Sequence, residues 1–279
     1  MHFDYTTVGH VTIDVFDDGS SQPGGAAFYS ALQAARLGLR TSIVTRGLER
    51  EIQEALEPYS HQLELMILPA RHTTTLHTSG HGEERSQRVL AWAGPIAQDL
   101  QLDTSILHLA PVARETPTRW RGNAAFLGLT PQGLVRDWSG PRKLIRAHAP
   151  SRSATAVAEQ CHAIVVSEHE RACCARLIER AADAGAVVAI TAGERPNTIL
   201  EPGGRTLELA VPFIEEPVED LGAGDVFAAT FFVALADGRP ALEAARLGNA
   251  AAAVRMSGRG AVAVGGVAEI EARAHVGRP

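Results

Sequence analysis

The chain has 279 residues, 45% of them hydrophobic, and a formal net charge of −6, a size and balance that suit one large globular core. It has no Lys/Arg block or basic tail, and Lys143 is its single lysine. This argues against nucleic acid or a membrane surface as the main partner and leaves one residue for any lysine chemistry. Cys161, Cys173 and Cys174 make no disulfide framework and suit a reducing cytoplasm. The opening MHFDYTTVGHVTID lacks a basic stretch followed by an apolar core, so no signal peptide is expected. No apolar run reaches the roughly 18 residues of a membrane span.

Along the chain, short apolar runs alternate with longer amphipathic ones. Thr6–His10 reads as a strand, Ala26–Leu37 as a helix, Thr41–Thr45 as a strand, Glu49–Glu57 as a helix and Leu63–Leu68 as a strand. Two β-prone stretches, His72–Thr78 and Arg88–Trp92, flank the polar turn Gly80-His81-Gly82-Glu83-Glu84 and read as a hairpin. Strands are then expected at Ser105–Ala110 and Ala125–Leu129. A helix follows at Ser153–Gln160, a strand at Ala163–Ser167, a helix at Glu168–Ala184 and a strand at Val187–Thr191. Helices at Val226–Ala236 and Ala241–Met256 close the series, and Gly38, Gly185, Gly238 and Gly258 act as helix stops. Strands alternating with helices imply βαβ units and a mainly parallel sheet covered on both faces, with ligands at its carboxyl edge.

Two glycine signals stand out. Gly222-Ala223-Gly224-Asp225 precedes an apolar helix, where unpaired backbone N–H groups and the helix dipole favour an anion. An aspartate among those donors suits a phosphoryl group meeting a hydroxyl that must lose its proton. Gly24-Gly25 opens the first long helix, with Asp14 shortly before it. A backbone free of side chains there could lie against a polyol or nucleoside whose hydroxyls donate to the carboxylate. No G-x-x-x-x-G-K-[ST] phosphate loop is present. His77 and His81 lack a third ligand for zinc. The adjacent Cys173 and Cys174 point different ways on a helix, which fits packing.

The Gly-Gly helix start and the late D-x-G-A-G-D resemble the two signatures of the ribokinase family, the PfkB-type carbohydrate kinases. Ala163–Glu170 is similar to that family's strand leading to N-x-x-E. Thr191-Ala192-Gly193 resembles its T-x-G nucleotide strand, and Gly248–Ala253 its nucleotide-side helix. Val8–Val11, Gly24–Leu32, Thr73–Thr75, Pro111–Glu115 and Gln132–Arg136 look most like archaeal-type myo-inositol kinases.

The resemblance implies one α/β domain over residues 1–279. It would be a three-layer sandwich with a mainly parallel central sheet and a small β lid near 11–22 and 71–93. It implies an ATP-dependent kinase, with Mg²⁺ arriving with the nucleotide and room for a monovalent cation. The acceptor would be a sugar or cyclic polyol, myo-inositol first, and the lid could pair two copies. Asp225 would be the general base, ionised at its ordinary pKa of about 3.9, with Gly222, Ala223 and Gly224 supplying anion donors. Asp14, Gly24, Gly25, Gln132 and Arg136 would hold the acceptor. Ser167, Thr191, Gly193 and Asn249 would face the nucleotide, and Glu170 would orient waters on the metal. Arg85 and Arg88 read as solvated charges.

Four departures bear on the acceptor and on activity. Leu221 stands where the family has Thr and Ser167 where it has Asn. Ala26-Ala27 replaces the asparagine that follows Gly-Gly in many sugar kinases, and Arg195-Pro196 replaces a turn glycine. A nucleoside or open-sugar kinase and a catalytically silent polyol or nucleotide sensor are the alternative readings.

Overall fold

The computed structural model describes residues 2–80, 84–139 and 143–275. His81, Gly82 and Glu83 of the expected turn lie outside the described residues. The first half of the chain forms β1 (Phe3–Val8), β2 (Thr12–Phe16), β3 (Ser21–Gly24), α1 (Ala26–Arg36), β4 (Thr41–Gly47), α2 (Glu49–Leu56), β5 (Leu63–Pro69), β6 (Thr74–Ser79), β7 (Ser86–Ala91), β8 (Thr104–Leu109) and β9 (Ala124–Leu129). The second half forms β10 (Arg136–Asp137), β11 (Arg146–Ala147), α3 (Arg152–Ala158), β12 (Ala163–Ser167), α4 (Glu168–Asp183), β13 (Val187–Ala192), β14 (Arg195–Leu200), β15 (Thr206–Leu209), α5 (Ala223–Ala236), α6 (Ala241–Met256) and α7 (Val267–His275).

Nine strands make the central sheet, in the order β15-β14-β13-β12-β9-β8-β1-β4-β5. The seven from β13 to β5 run parallel, and β14 and β15 return antiparallel at one edge. Side chains alternate faces along a strand, and here both faces are buried. In β12, Ile164 and Val166 join the core under α3 and α4, while Ala163 and Val165 join the opposite core with Phe227 and Phe231 of α5. The layers are therefore helix, sheet, helix. Helix α5 is apolar all round because it is enclosed, packing on α1, α6 and the sheet.

From the middle of the sheet the chain moves outward through β1, β4 and β5, then returns to fill β8, β9, β12 and β13 on the other side. The strand order thus reverses between β1 and β8, and the loops leaving their carboxyl ends open a crevice there. A second sheet, β3-β2-β6-β7, is built from the segment after β1 and the expected hairpin. Asp14 on β2 lies opposite Gln22 on β3 and beside Leu76 on β6.

All seven expected strands of the main sheet and all six expected helices form. Strands β14 and β15 and helix α7 lie outside the sequence reading. Pro196 argues against a central strand, but it sits at the start of β14, opposite the register irregularity between Ile190 and Ala192, and such a bulge tolerates it. Helix α5 begins at Ala223, three residues before the expected Val226, so Asp225 sits inside the first helical turn.

Candidate active site

The floor of the crevice is the turn into α5. Gly222 is its N-cap, with φ +80°, a left-handed conformation that glycine adopts without strain. A Cβ there would meet the Tyr29 ring at 2.4 Å, so the turn rests directly on that ring. Two of the four expected donors are turned inward: Ala223 N–H donates to Asp220 O and Asp225 N–H to Gly222 O. Among the described residues, the N–H groups of Gly222 and Gly224 have no protein partner, and these two face the helix end where an anion is favoured. Ser30 Oγ of α1 donates to Asp225 O at 3.1 Å and pins the residue's backbone.

The Asp225 carboxylate accepts no hydrogen bond from the described residues, and the residue is half-buried at the start of the helix. Burial raises its pKa to about 7, helped by the charges of Glu170 and Asp14 and opposed by Arg136 and Arg85. This corrects the sequence expectation of an ordinary ionised aspartate. A pKa near neutrality is the range that suits a general base.

The acceptor side is built on Asp14. It is 2% exposed, and Oδ1 accepts from Thr12 Oγ1 at 2.9 Å. A Cβ on Gly24 would lie 2.2 Å from Oδ2, so only glycine lets the carboxylate occupy this position. Burial raises the Asp14 pKa to about 6, against the pull of Thr12, Arg136 and Arg85. Gly25 caps α1 at φ +95°, and a Cβ would strike His10 O at 2.3 Å. The paired glycines thus let β2, the loop after β1 and the start of α1 converge.

Arg136, on β10, joins the two sides. Its guanidinium donates to Val112 O and Gln87 Oε1, both at 2.9 Å, and interacts with the charges of Glu170, Asp14, Asp225 and Glu115. Gln132 is half-buried in the short 3₁₀ helix Pro131–Val135. Arg85 overturns its solvated reading. It is only 24% exposed, pairs with Asp220 just before the anion turn, and is felt by both Asp14 and Asp225. Arg88 is exposed as expected.

On the far side, Ser167 ends β12 and caps α4, and its N–H donates to Glu170 Oε2 at 3.3 Å. Glu170 is therefore tied at one oxygen, and its charge reaches Asp225. Thr191, next to last in β13, pairs with Ser167 at the end of β12. Gly193 is exposed in the β13–β14 turn at φ +65°. Asn249, expected to face the nucleotide, is engaged by groups of the fold itself. It is 4% exposed, its Oδ1 accepts from Asn197 Nδ2 at 2.7 Å, and its Nδ2 donates to Ala210 O. Its amide holds the antiparallel edge of the sheet together and is not presented to the crevice.

Among the described residues, no three His, Cys, Asp or Glu side chains group as a metal site, and no helix is long and apolar enough to cross a membrane. Burial pushes the Cys174 thiol up to about 12, which leaves it inert.

Sequence reasoning assigned no role to Glu115, a fully buried carboxylate behind the crevice. Oε1 accepts from His10 N and Val112 N, each at 2.8 Å, and Oε2 from Ala113 N at 2.6 Å. It ties the loop after β1 to the loop after β8, the two strands that flank the switch point. The one available signal was an acid directly following Pro-Val-Ala-Arg in a loop.

A carboxylate in the first turn of a buried helix, with free backbone donors beside it and the charge of a second carboxylate reaching it, suits an α/β phosphotransferase with an alcohol acceptor. Comparison agrees. Residues 142–264 match the family described as pfkB family carbohydrate kinase. A cytidine kinase of Thermococcus kodakarensis is 28% identical over 262 residues, covering 88% of this chain and 93% of the relative. Arabidopsis thaliana ribokinase complexed with ribose and ATP superposes with a TM-score of 0.76 at 16% identity, covering 99% of each chain. A pyrophosphate-dependent kinase of the ribokinase family, complexed with a pyrophosphate analog and myo-inositol, gives 0.73 at 18% identity, covering 92% of this chain and 96% of that one.

Proposed function

We propose that the chain is an ATP-dependent kinase that moves the γ-phosphoryl group onto a hydroxyl of a polyhydroxylated ring, with Asp225 as general base. The observation that carries this reading is the carboxylate of Asp225, without donors and with a pKa near 7, set one turn inside a helix whose N-cap offers free N–H groups. In this reading the ring's hydroxyls donate to Asp14, and Gln132 and Arg136 border them. Asp225 takes the proton of the attacking hydroxyl as the O–P bond forms and the bond to the ADP oxygen breaks. The N–H groups of Gly222 and Gly224 hold charge on the transferred group, a contribution of roughly 2.7–4 kcal/mol per donor in a comparable anion hole. Thr191, Gly193 and Ser167 border the nucleotide.

Magnesium would arrive with the phosphates, and Glu170, which keeps one oxygen without a protein partner among the described residues, would help hold it, since magnesium sites commonly use one or two carboxylates plus phosphates. When bound, it would neutralise phosphate charge. The four-stranded sheet acts as the lid of one kinase domain spanning residues 1–279, and it is the surface through which two copies would pair.

Two acceptor classes have support. A nucleoside is favoured by the cytidine kinase relative, whose identity extends over most of both chains. A cyclic polyol, myo-inositol first, is favoured by the Gly25-Ala26-Ala27 start and the Gln132/Arg136 pair. The test is ADP release with ATP and Mg²⁺ across cytidine, uridine, inosine, ribose, fructose and myo-inositol, with pyrophosphate tried as a second donor. Turnover of one acceptor class supports the kinase reading and fixes its substrate. Calorimetric binding of a polyol or nucleotide with no transfer to any acceptor would replace it with a sensor.

A further inference from the structure

Arg255 lies in the last turn of α6 and is 0% exposed. A buried guanidinium needs partners, because desolvating a charge costs several kcal/mol even after relaxation. Two of its partners, Glu219 and Tyr29, adjoin the anion turn. Nη2 donates to Glu219 Oε1 at 2.6 Å, and Nη1 donates to Gly258 O at 3.0 Å. The guanidinium carbon lies 5.3 Å from the centroid of the Tyr29 ring, within cation–π range. This is the ring against which Gly222 is seated.

Glu219, three residues before Gly222, is held from three directions. Besides Arg255, it accepts from Gly260 N at 3.2 Å and from Gln22 Nε2 at 3.2 Å. Gln22 is the cross-strand neighbour of Asp14. Val218 N–H donates to Met256 O at 2.8 Å. The segment entering the turn is thus clamped to the end of α6 and touches the strand beside the acceptor carboxylate.

Stability alone accounts poorly for this pair, because well-packed apolar side chains usually replace a buried ion pair at no loss. What the pair supplies is geometry. A charge-assisted bond to Glu219 and a cation over Tyr29 fix both the segment before Gly222 and the ring beneath it. We infer that Arg255 is a positioning residue, a built-in cation that sets the Gly222–Asp225 turn for phosphoryl transfer through Glu219 and Tyr29. This inference rests on the kinase reading above.

The test is steady-state kinetics on Arg255→Met, Arg255→Lys and Glu219→Gln in the full chain, with the acceptor identified by the panel. Folding is checked by circular dichroism. Arg255→Met should lower kcat by about 10–100-fold while moving the acceptor KM less than about threefold, since Asp14 is untouched. Arg255→Lys, which keeps the charge with fewer donors, should fall between Met and the native enzyme. Glu219→Gln should lower kcat, and the double variant with Arg255→Met should add little, because both changes break one contact. Adding guanidinium ion to Arg255→Gly at millimolar concentration should restore part of kcat.

An Arg255→Met enzyme with native kcat would overturn the inference while leaving the kinase reading standing. So would losses in the two single variants that simply add, with no guanidinium rescue. If Arg255→Met does not fold, the Lys variant, Glu219→Gln and the rescue series decide alone. A native chain inactive on every acceptor is a failure of the kinase reading itself.

Discussion

Four of the acids around the crevice differ in how many donors the fold gives them. Glu115 takes three backbone N–H groups, and Glu219 takes an arginine, an amide and a backbone N–H. Asp14 receives one hydroxyl, and Asp225 receives nothing from the described residues. Burial raises the pKa of the last two, to about 6 and about 7. Where donors are supplied, the carboxylate fixes loops. Where they are withheld, the carboxylate is left short of partners, and hydroxyls of a substrate can supply them. In the proposed reaction the two glutamates are structural and the two aspartates are the working groups.

The sharpest way to break this division is Asp225→Asn. Turnover should fall by roughly 10²–10⁴-fold, the usual contribution of a general base, with acceptor binding by calorimetry retained. The same change should raise thermal stability at pH 8. A carboxyl whose folded pKa is raised binds more protons folded than unfolded between about 4 and 7, so native stability falls as pH rises across that window. The amide removes that loss. Unchanged activity would move Asp225 into the structural pair.

Gly222→Ala comes next. It forces a side chain into a left-handed position and into Tyr29, and should cost roughly 10²–10³ in kcat by displacing the anion donors. Circular dichroism separates this from global unfolding. Asp14→Asn should act mainly on the acceptor, raising its KM at least about tenfold and changing kcat much less. Native enzyme should release protons when the acceptor binds near pH 6, because hydroxyl donors favour the ionised form, and calorimetry in buffers of different ionisation enthalpy reads this directly. Smallest in activity is Glu115→Gln. It leaves a buried backbone N–H without an acceptor, at about 1–3 kcal/mol, and should lower Tm by roughly 5 °C. A change confined to kcat would contradict its structural role.

The fold was largely legible, because period and glycine stops mark parallel strands and their crossover helices. Asp225, Asp14 and the paired glycines were legible because their sequence context is local: a loop, a turn and an apolar helix. Glu115, Arg255 and Arg85 were not. Each acquires its role from a partner far along the chain, as Glu115 does from His10 and Arg255 from Tyr29, and no periodicity encodes that. Arg255 did leave a trace, as a lone charge near the end of an alanine-rich run. The partner of Asn249 was hidden for the same reason: its amide turns to Asn197, in a strand masked by Pro196. Leu221, where a hydroxyl was expected, packs into the apolar core beside the turn and anchors it by burial.

The central claim is that an unsatisfied Asp225 is the base of phosphoryl transfer. Its most direct test is kcat/KM against pH, from 5 to 9, for the native enzyme with the identified acceptor, ATP and Mg²⁺. The account predicts an acid limb in which the rate rises with pH and levels off above an apparent pKa of about 7, with the Asp225→Asn enzyme far below it and lacking that limb. A native profile that stays flat down to pH 5, or an Asn variant that keeps the same limb, would contradict it.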